Sequence, residues 1–191
     1  MLKDCDFLVV AYDKTNMAIG VIALKHHTNS KPKFMHIETI LVAEEHHNRI
    51  LASHMAAHLF MNVAVVLGDL PKLVSMKTYN PRSYSMMARF LPKSGTTCFM
   101  YPNIENRTNT DEAKEIAENI ANELEPNLTF NHDTGVIYAA SGNVADDFWP
   151  SFPNTRNNIM VVSSFYCNSS LKTSKGVFQF NTLRGRPFNR S

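Results

Sequence analysis

Three sets of residues in this sequence have types and spacings that could do chemistry. His47, His54 and His58 stand seven and four residues apart, and an i, i+4 histidine pair is a geometry that zinc accepts. The pair encloses Met55, Ala56 and Ala57, without the glutamate of an HExxH helix, so these imidazoles read as exposed or hydrogen-bonded and no metal is expected. Cys98, in GTTCFMY, has no histidine near it in sequence and reads as inert packing. Glu38 is the informative one. It lies within KFMHIETILV, and a carboxylate among strand hydrophobes is unusual unless it has a partner or a task. Directly after it comes AEEHHNRILA, a charged, imidazole-rich stretch free of glycine, where a strand gives way to a helix.

The elements that must position these residues are legible from periodicity. DFLVVAYD alternates Phe7, Val9 and Ala11 against Leu8, Val10 and Tyr12, apolar on both faces, which predicts a strand inside a sheet. KTN offers a turn and MAIGVIALK returns, so residues 6–25 read as a hairpin. KFMHIETILV is the third strand. From about Arg49 the period changes: Leu51, Met55, Leu59 and Val63, flanked by Ala52, Ala56 and Phe60, predict a helix ended by Gly68 and Pro71. LVSMKTY is a short strand, and NPRSYSMMARFL a helix capped by Asn80 with Pro81 in its first turn. Downstream, NTDEAKEIAENIANELEP is a helix with Asn109 and Glu112 in a capping box and a stripe of Ala113, Ile116, Ala117, Ile120, Ala121 and Leu124. TGVIYAAS, IMVVSSFYC and GVFQF read as strands, and GNVADDFWPSFPNTRNN as an ordered loop.

This order of elements, with the junction IETILVAEEHHNRILASHM, resembles the central part of the GNAT superfamily of acyl-CoA-dependent N-acyltransferases over residues 5–92. The resemblance implies an α+β fold with a mixed, mostly antiparallel sheet flanked by helices. It also implies an open V beside Leu41 and Val42 that holds a thioester, and a loop and helix N-terminus that grip the pyrophosphate of coenzyme A. Unsatisfied N–H groups and the positive end of the helix dipole favour such an anion. The implied binding residues are Leu41, Val42, His47, Asn48, Arg49, Ile50, Leu51, Ala52 and Asn80. The family's first basic or glutamine position falls on His47, its first glycine on Ile50, and its second glycine or alanine on Ala52. Glu38 falls where the family often carries a glutamate that deprotonates the acceptor amine. The tyrosine that commonly protonates the departing thiolate falls on Met87, and Tyr84, one helical turn earlier, is the substitute. The chain begins at what would be the family's second strand, so the resemblance leaves the acceptor pocket to the C-terminal half, to a partner, or to no acceptor at all.

Composition bounds the rest. The 191 residues divide into a GNAT-like core, 1–102, and a C-terminal α/β extension, 103–191, packed on it, or form one single domain. MLKDCDFLVVAYD lacks the pattern of a leader, no apolar run is long enough to span a bilayer, and Cys5, Cys98 and Cys167 are odd in number and widely spaced; a cytoplasmic protein with reduced thiols is expected. All 17 Asp and Glu lie at or before Asp147, whereas six of the 19 Lys and Arg lie after it, so a basic C-terminal segment faces an acidic body. That favours folding of the segment against the body over nucleic-acid binding. Two functions stay open. One is transfer of an acetyl group from acetyl-CoA, as co-substrate, to the primary amine of a small molecule or protein. The other is a catalytically inactive GNAT-like protein that binds a protein or nucleic-acid partner, or a second copy of itself, with no membrane involved.

Overall fold

The computed structural model describes residues 4–47, 50–69, 71–78, 83–84, 87, 98–103, 109–138 and 159–166. The strands are β1 (Phe7–Tyr12), β2 (Ala18–His27), β3 (Phe34–Val42), β4 (Leu73–Thr78), β5 (Cys98–Tyr101), β6 (Phe130–Asn131), β7 (Val136–Ile137) and β8 (Ile159–Tyr166). They form one sheet in the order β1-β2-β3-β4-β8-β7-β6, with β5 also paired to β8. The β3–β4 pair is parallel and every other pair is antiparallel. Two helices, α1 (Leu51–Leu67) and α2 (Asp111–Leu124), cover opposite faces. This is the mixed, mostly antiparallel α+β arrangement expected from the sequence.

The first hairpin closes because Asp13 organises the turn. Its Oδ1 accepts from Thr15 N (2.8 Å), Thr15 Oγ1 (2.7 Å) and Met17 N (2.9 Å), and Asn16 takes the left-handed conformation at φ 65°. These hydrogen bonds, the Thr15 hydroxyl foremost, lower the Asp13 pKa below its ordinary value. Contrary to expectation, β1 ends the sheet order among the described residues, with Leu8 and Tyr12 exposed. Its double-sided apolar pattern therefore reports one face against α1 and one facing solvent.

The main core lies under α1. Ile22, Leu24, Met35, Ile37, Val74 and Met76 of the sheet meet Met55, Ala56, Leu59, Phe60 and Val63 of the helix, all buried. The Met55 thioether lies over Gly20, where a Cβ would come within 2.9 Å and push that flexible side chain aside. The helix stops at Gly68, left-handed at φ 76°, as the sequence predicts.

On the other face α2 packs Ile120 and Ala121 against Phe34, Leu73 and Ile137, with Ile116, Leu124, Leu128 and Phe130 around them. Its cap differs from expectation by one residue. Thr110 accepts from Ala113 N (3.2 Å), while Asn109 accepts from Asn103 N (2.8 Å) and pins the preceding chain instead. Periodicity misses β5 and β6, which are four and two residues long, and of TGVIYAAS only Val136–Ile137 is strand among the described residues. Residues 83, 84 and 87 are helical; Asn80, Pro81 and GVFQF lie outside the described residues.

Candidate functional site

The site begins where β3 and β4 part. Their parallel pairing covers only Met35–Ile37 against Val74–Met76, yet β3 continues to Val42. Along that continuation β3 is paired on one side only, to β2, among the described residues. Ala43 N donates to Ile19 O (2.8 Å), and register then makes Leu41–Val21 and Thr39–Ala23 the hydrogen-bonded pairs. The N–H and C=O groups of Ile40 and Val42 consequently point away from β2, into the split. A short polar edge of backbone is thus displayed next to two strands that have stopped pairing.

Glu38 stands at the apex of this split. Leu24 is opposite Ile37 and Ala23 is opposite Thr39, so Glu38 is the extra residue of a β-bulge. Alternation after Ile37 takes its side chain off the α1 face, where it is exposed. Cys5 lies within electrostatic reach of it: burial first, and the Glu38 carboxylate second, raise the thiol above its ordinary pKa, which disfavours a thiolate nucleophile.

Past Val42 the chain makes one 3-10 turn, Glu44–His46, with both acids exposed. His47 folds back, and its Nε2–H donates to Val42 O at 2.8 Å, occupying one of the carbonyls at the split. The first turn of α1 carries no acidic residue, and Ile50 at its N-cap offers no side-chain acceptor, so its leading N–H groups, those of Leu51, Ala52 and Ser53, have no side-chain cap. Ile50 itself is 66% exposed and projects a branched side chain at that junction. Asn48 and Arg49 lie outside the described residues, as does Asn80.

Tyr84 donates its hydroxyl proton to Pro102 O at 3.0 Å. Met87 is buried in the α1 core, so at that position the chain packs a thioether against Met76 and its neighbours. Behind them Tyr101 is fully buried and donates to His132 O (2.6 Å); burial, followed by Asp133 and Glu118, raises its pKa.

A second polar cluster lies on the α2 face. The His36 ring is buried and hydrogen-bonded to Ser75 Oγ at 2.9 Å, and burial, helped by Lys77, His27 and Lys25, lowers its pKa to about 3. His27 stacks flat on Phe34 (4.3 Å) and stands edge-on to His36 (6.2 Å), with Nδ1 3.6 Å from Glu123 Oε1. Lys77 Nζ reaches Glu125 Oε1 at 2.6 Å. Sequence reasoning passes over His36, Ser75 and Lys77. Their signal is the alternation within FMHI and LVSMKT, where the residues between the core positions are polar or aromatic. Among the described residues no group of three or more His, Cys, Asp and Glu is placed to hold a metal ion, and no helix is long and apolar enough to cross a membrane.

No family model matches the sequence, and no curated protein matches it. Solved structures similar to this chain include an acetyltransferase-like protein from Agrobacterium tumefaciens, 14% identical, covering 54% of this chain and 70% of its own, at a TM-score of 0.35. The diaminobutyrate acetyltransferase of Paenibacillus lautus, solved with L-2,4-diaminobutyric acid and coenzyme A, is 11% identical over 84% of this chain and 70% of its own, TM-score 0.44. Rv2747 of Mycobacterium tuberculosis, solved with CoA, is 18% identical over 84% of this chain and 75% of its own, TM-score 0.38.

Proposed function

We propose that this chain is an N-acyltransferase that moves an acetyl group from acetyl-CoA to a primary amine. The observation that supports this is the split: an acidic side chain at a bulge stands beside β3 backbone groups that no other strand takes up among the described residues. An extended acyl-pantetheine arm suits such an edge, since it carries amides that can pair with Ile40 and Val42 as a strand would. His47 holds the Val42 carbonyl, so the arm displaces that hydrogen bond on entry, at a net cost of about 1 kcal/mol. The pyrophosphate then lies toward the leading N–H groups of α1, with His47, Asn48, Arg49, Leu51 and Ala52 around it.

Glu38 removes a proton from the acceptor ammonium, directly or through water. The freed lone pair attacks the thioester carbon, a backbone N–H at the split stabilises the oxyanion, and the C–S bond breaks as the oxyanion collapses. The thiolate takes a proton from Tyr84, which must first release the Pro102 carbonyl, or from water, and the second proton shed by the acylated nitrogen returns to that donor. The rival reading, a GNAT-like protein that binds a partner without catalysis, draws support from Ile50 at the proposed phosphate approach and from Met87 in the core. Calorimetric and thermal-shift titration with acetyl-CoA separates them. Saturation to a hundred times the dissociation constant should raise stability by about 2.7 kcal/mol. With an amine acceptor in hand, Glu38→Gln should lower turnover by roughly a hundredfold while leaving the melting temperature unchanged. Absence of heat and of any shift at millimolar acetyl-CoA would leave the binding protein standing.

A further inference from the structure

The edge of β1 that faces away from β2 meets no strand among the described residues. Residues 21 and 23 of β2 direct their backbone groups toward β3, so Gly20, Ile22 and Leu24 direct theirs toward β1, onto Ala11, Val9 and Phe7. The N–H and C=O groups of Leu8, Val10 and Tyr12 are left on the outer edge. This edge lacks the usual protection: FLVVAY holds no charge and no proline. It is also regular. The register shift near Tyr12 falls on Ile19 of β2, the extra residue there, and leaves β1 itself straight. Leu8 and Tyr12 are 51% and 60% exposed on the face away from α1.

We propose that this edge pairs, antiparallel about a two-fold axis at Val10, with the same edge of a second copy of the chain. One register satisfies all the constraints together. With Val10 opposite the partner's Val10, Leu8 falls opposite the partner's Tyr12 on the same face, and all three outward backbone pairs become hydrogen-bonded pairs, about six bonds in all. Asp6 and Lys14 stand outside this pairing: the Asp6 carboxylate accepts from His26 N at 2.7 Å, and Lys14 lies in the hairpin turn beyond β1. A shift by one residue would put apolar side chains on mismatched faces. The strands alone bury less than about 1,000 Å², so the dimer is weak and concentration-dependent.

Sedimentation velocity on the full chain tests this over about 1 to 200 µM, the range where micromolar association is visible. A monomer–dimer equilibrium is expected. Val10→Pro should leave a monomer at every concentration with an unchanged far-UV spectrum, because the Val10 N–H serves no bond to β2. Leu8→Lys should weaken association tenfold or more, because it sets an ammonium beside the partner's Tyr12 in both outer cross-strand pairs. A native chain that stays monomeric overturns the proposal, as does a dimer that survives Val10→Pro or is indifferent to Leu8→Lys. A monomer whose Leu8, Val10 and Tyr12 amides resist hydrogen exchange overturns it too, because another segment of the same chain would then cover the edge.

Discussion

The two faces of this sheet are built on different principles, although they share the same strands. Toward α1, Ile22, Leu24, Met35, Ile37, Val74 and Met76 meet an apolar helix stripe. Toward α2 the sheet presents Phe34 and Leu73 but also the bonded pair His36 and Ser75, together with His27, which meets Glu123 of the helix, and Lys77, which meets Glu125 at its C-cap. The first face is held by burial of apolar area, which depends little on solution conditions. The second is held partly by groups whose charge changes with pH. One face therefore anchors the fold and the other conditions it.

The largest expected effect lies on the apolar face. Leu59 is 1% exposed at the centre of the α1 stripe, and Leu59→Ala should cost about 3 kcal/mol, seen as a lower urea midpoint with unchanged slope. That loss should be the same at pH 5 and pH 7; a pH-dependent loss would break the comparison.

Next comes His36. Its pKa is about 3 in the folded chain against an ordinary value near 6.5 unfolded, so between those values the unfolded chain binds the additional proton. The stability held by the neutral ring is complete above about pH 6.5 and is lost as pH falls toward 3. Between pH 7 and pH 5 the loss should reach about 2 kcal/mol in urea titrations, and His36→Gln should flatten that slope. If the slope persists in the variant, another group carries it. The smallest effect belongs to the Lys77–Glu125 pair, which is about a third exposed: Lys77→Ala should cost about 0.5 kcal/mol and fade with added salt.

The same contrast governs what the sequence discloses. The helix α1 was readable residue by residue, because Met55, Leu59 and Val63 recur at four-residue steps and burial follows the pattern. The stripe of α2 was readable for the same reason. Parallel pairing of β3 with β4, the split, and the edge position of β1 were not, since alternation reports faces and says nothing of neighbours. An open V beside Val42 came only as an implication of the resemblance, not from alternation. The position of Glu38 in a strand near the junction was legible; the bulge was not, because an inserted residue looks like any other until its partners are known. The fold-back of His47 onto Val42 O has no sequence signature at all. Asn109 failed as the cap because Thr110 beside it is equally suited, and the tie to Asn103 N decided between them.

The bulge at Glu38 has a consequence for what variation the gene can tolerate. Met35 and Ile37 face α1, and so do Ile40 and Val42, a spacing of two, three and two that holds only while one residue stands unpaired between the halves. Removing that residue would leave Met35, Ile37, Ile40 and Val42 in unbroken alternation, still facing α1, with Ile37 and Thr39 opposite Leu24 and Ala23 as before. Position 38 is thus open to deletion as well as to replacement, and a lineage that abandons the carboxylate can drop the residue itself and lose only the local bend of the strand.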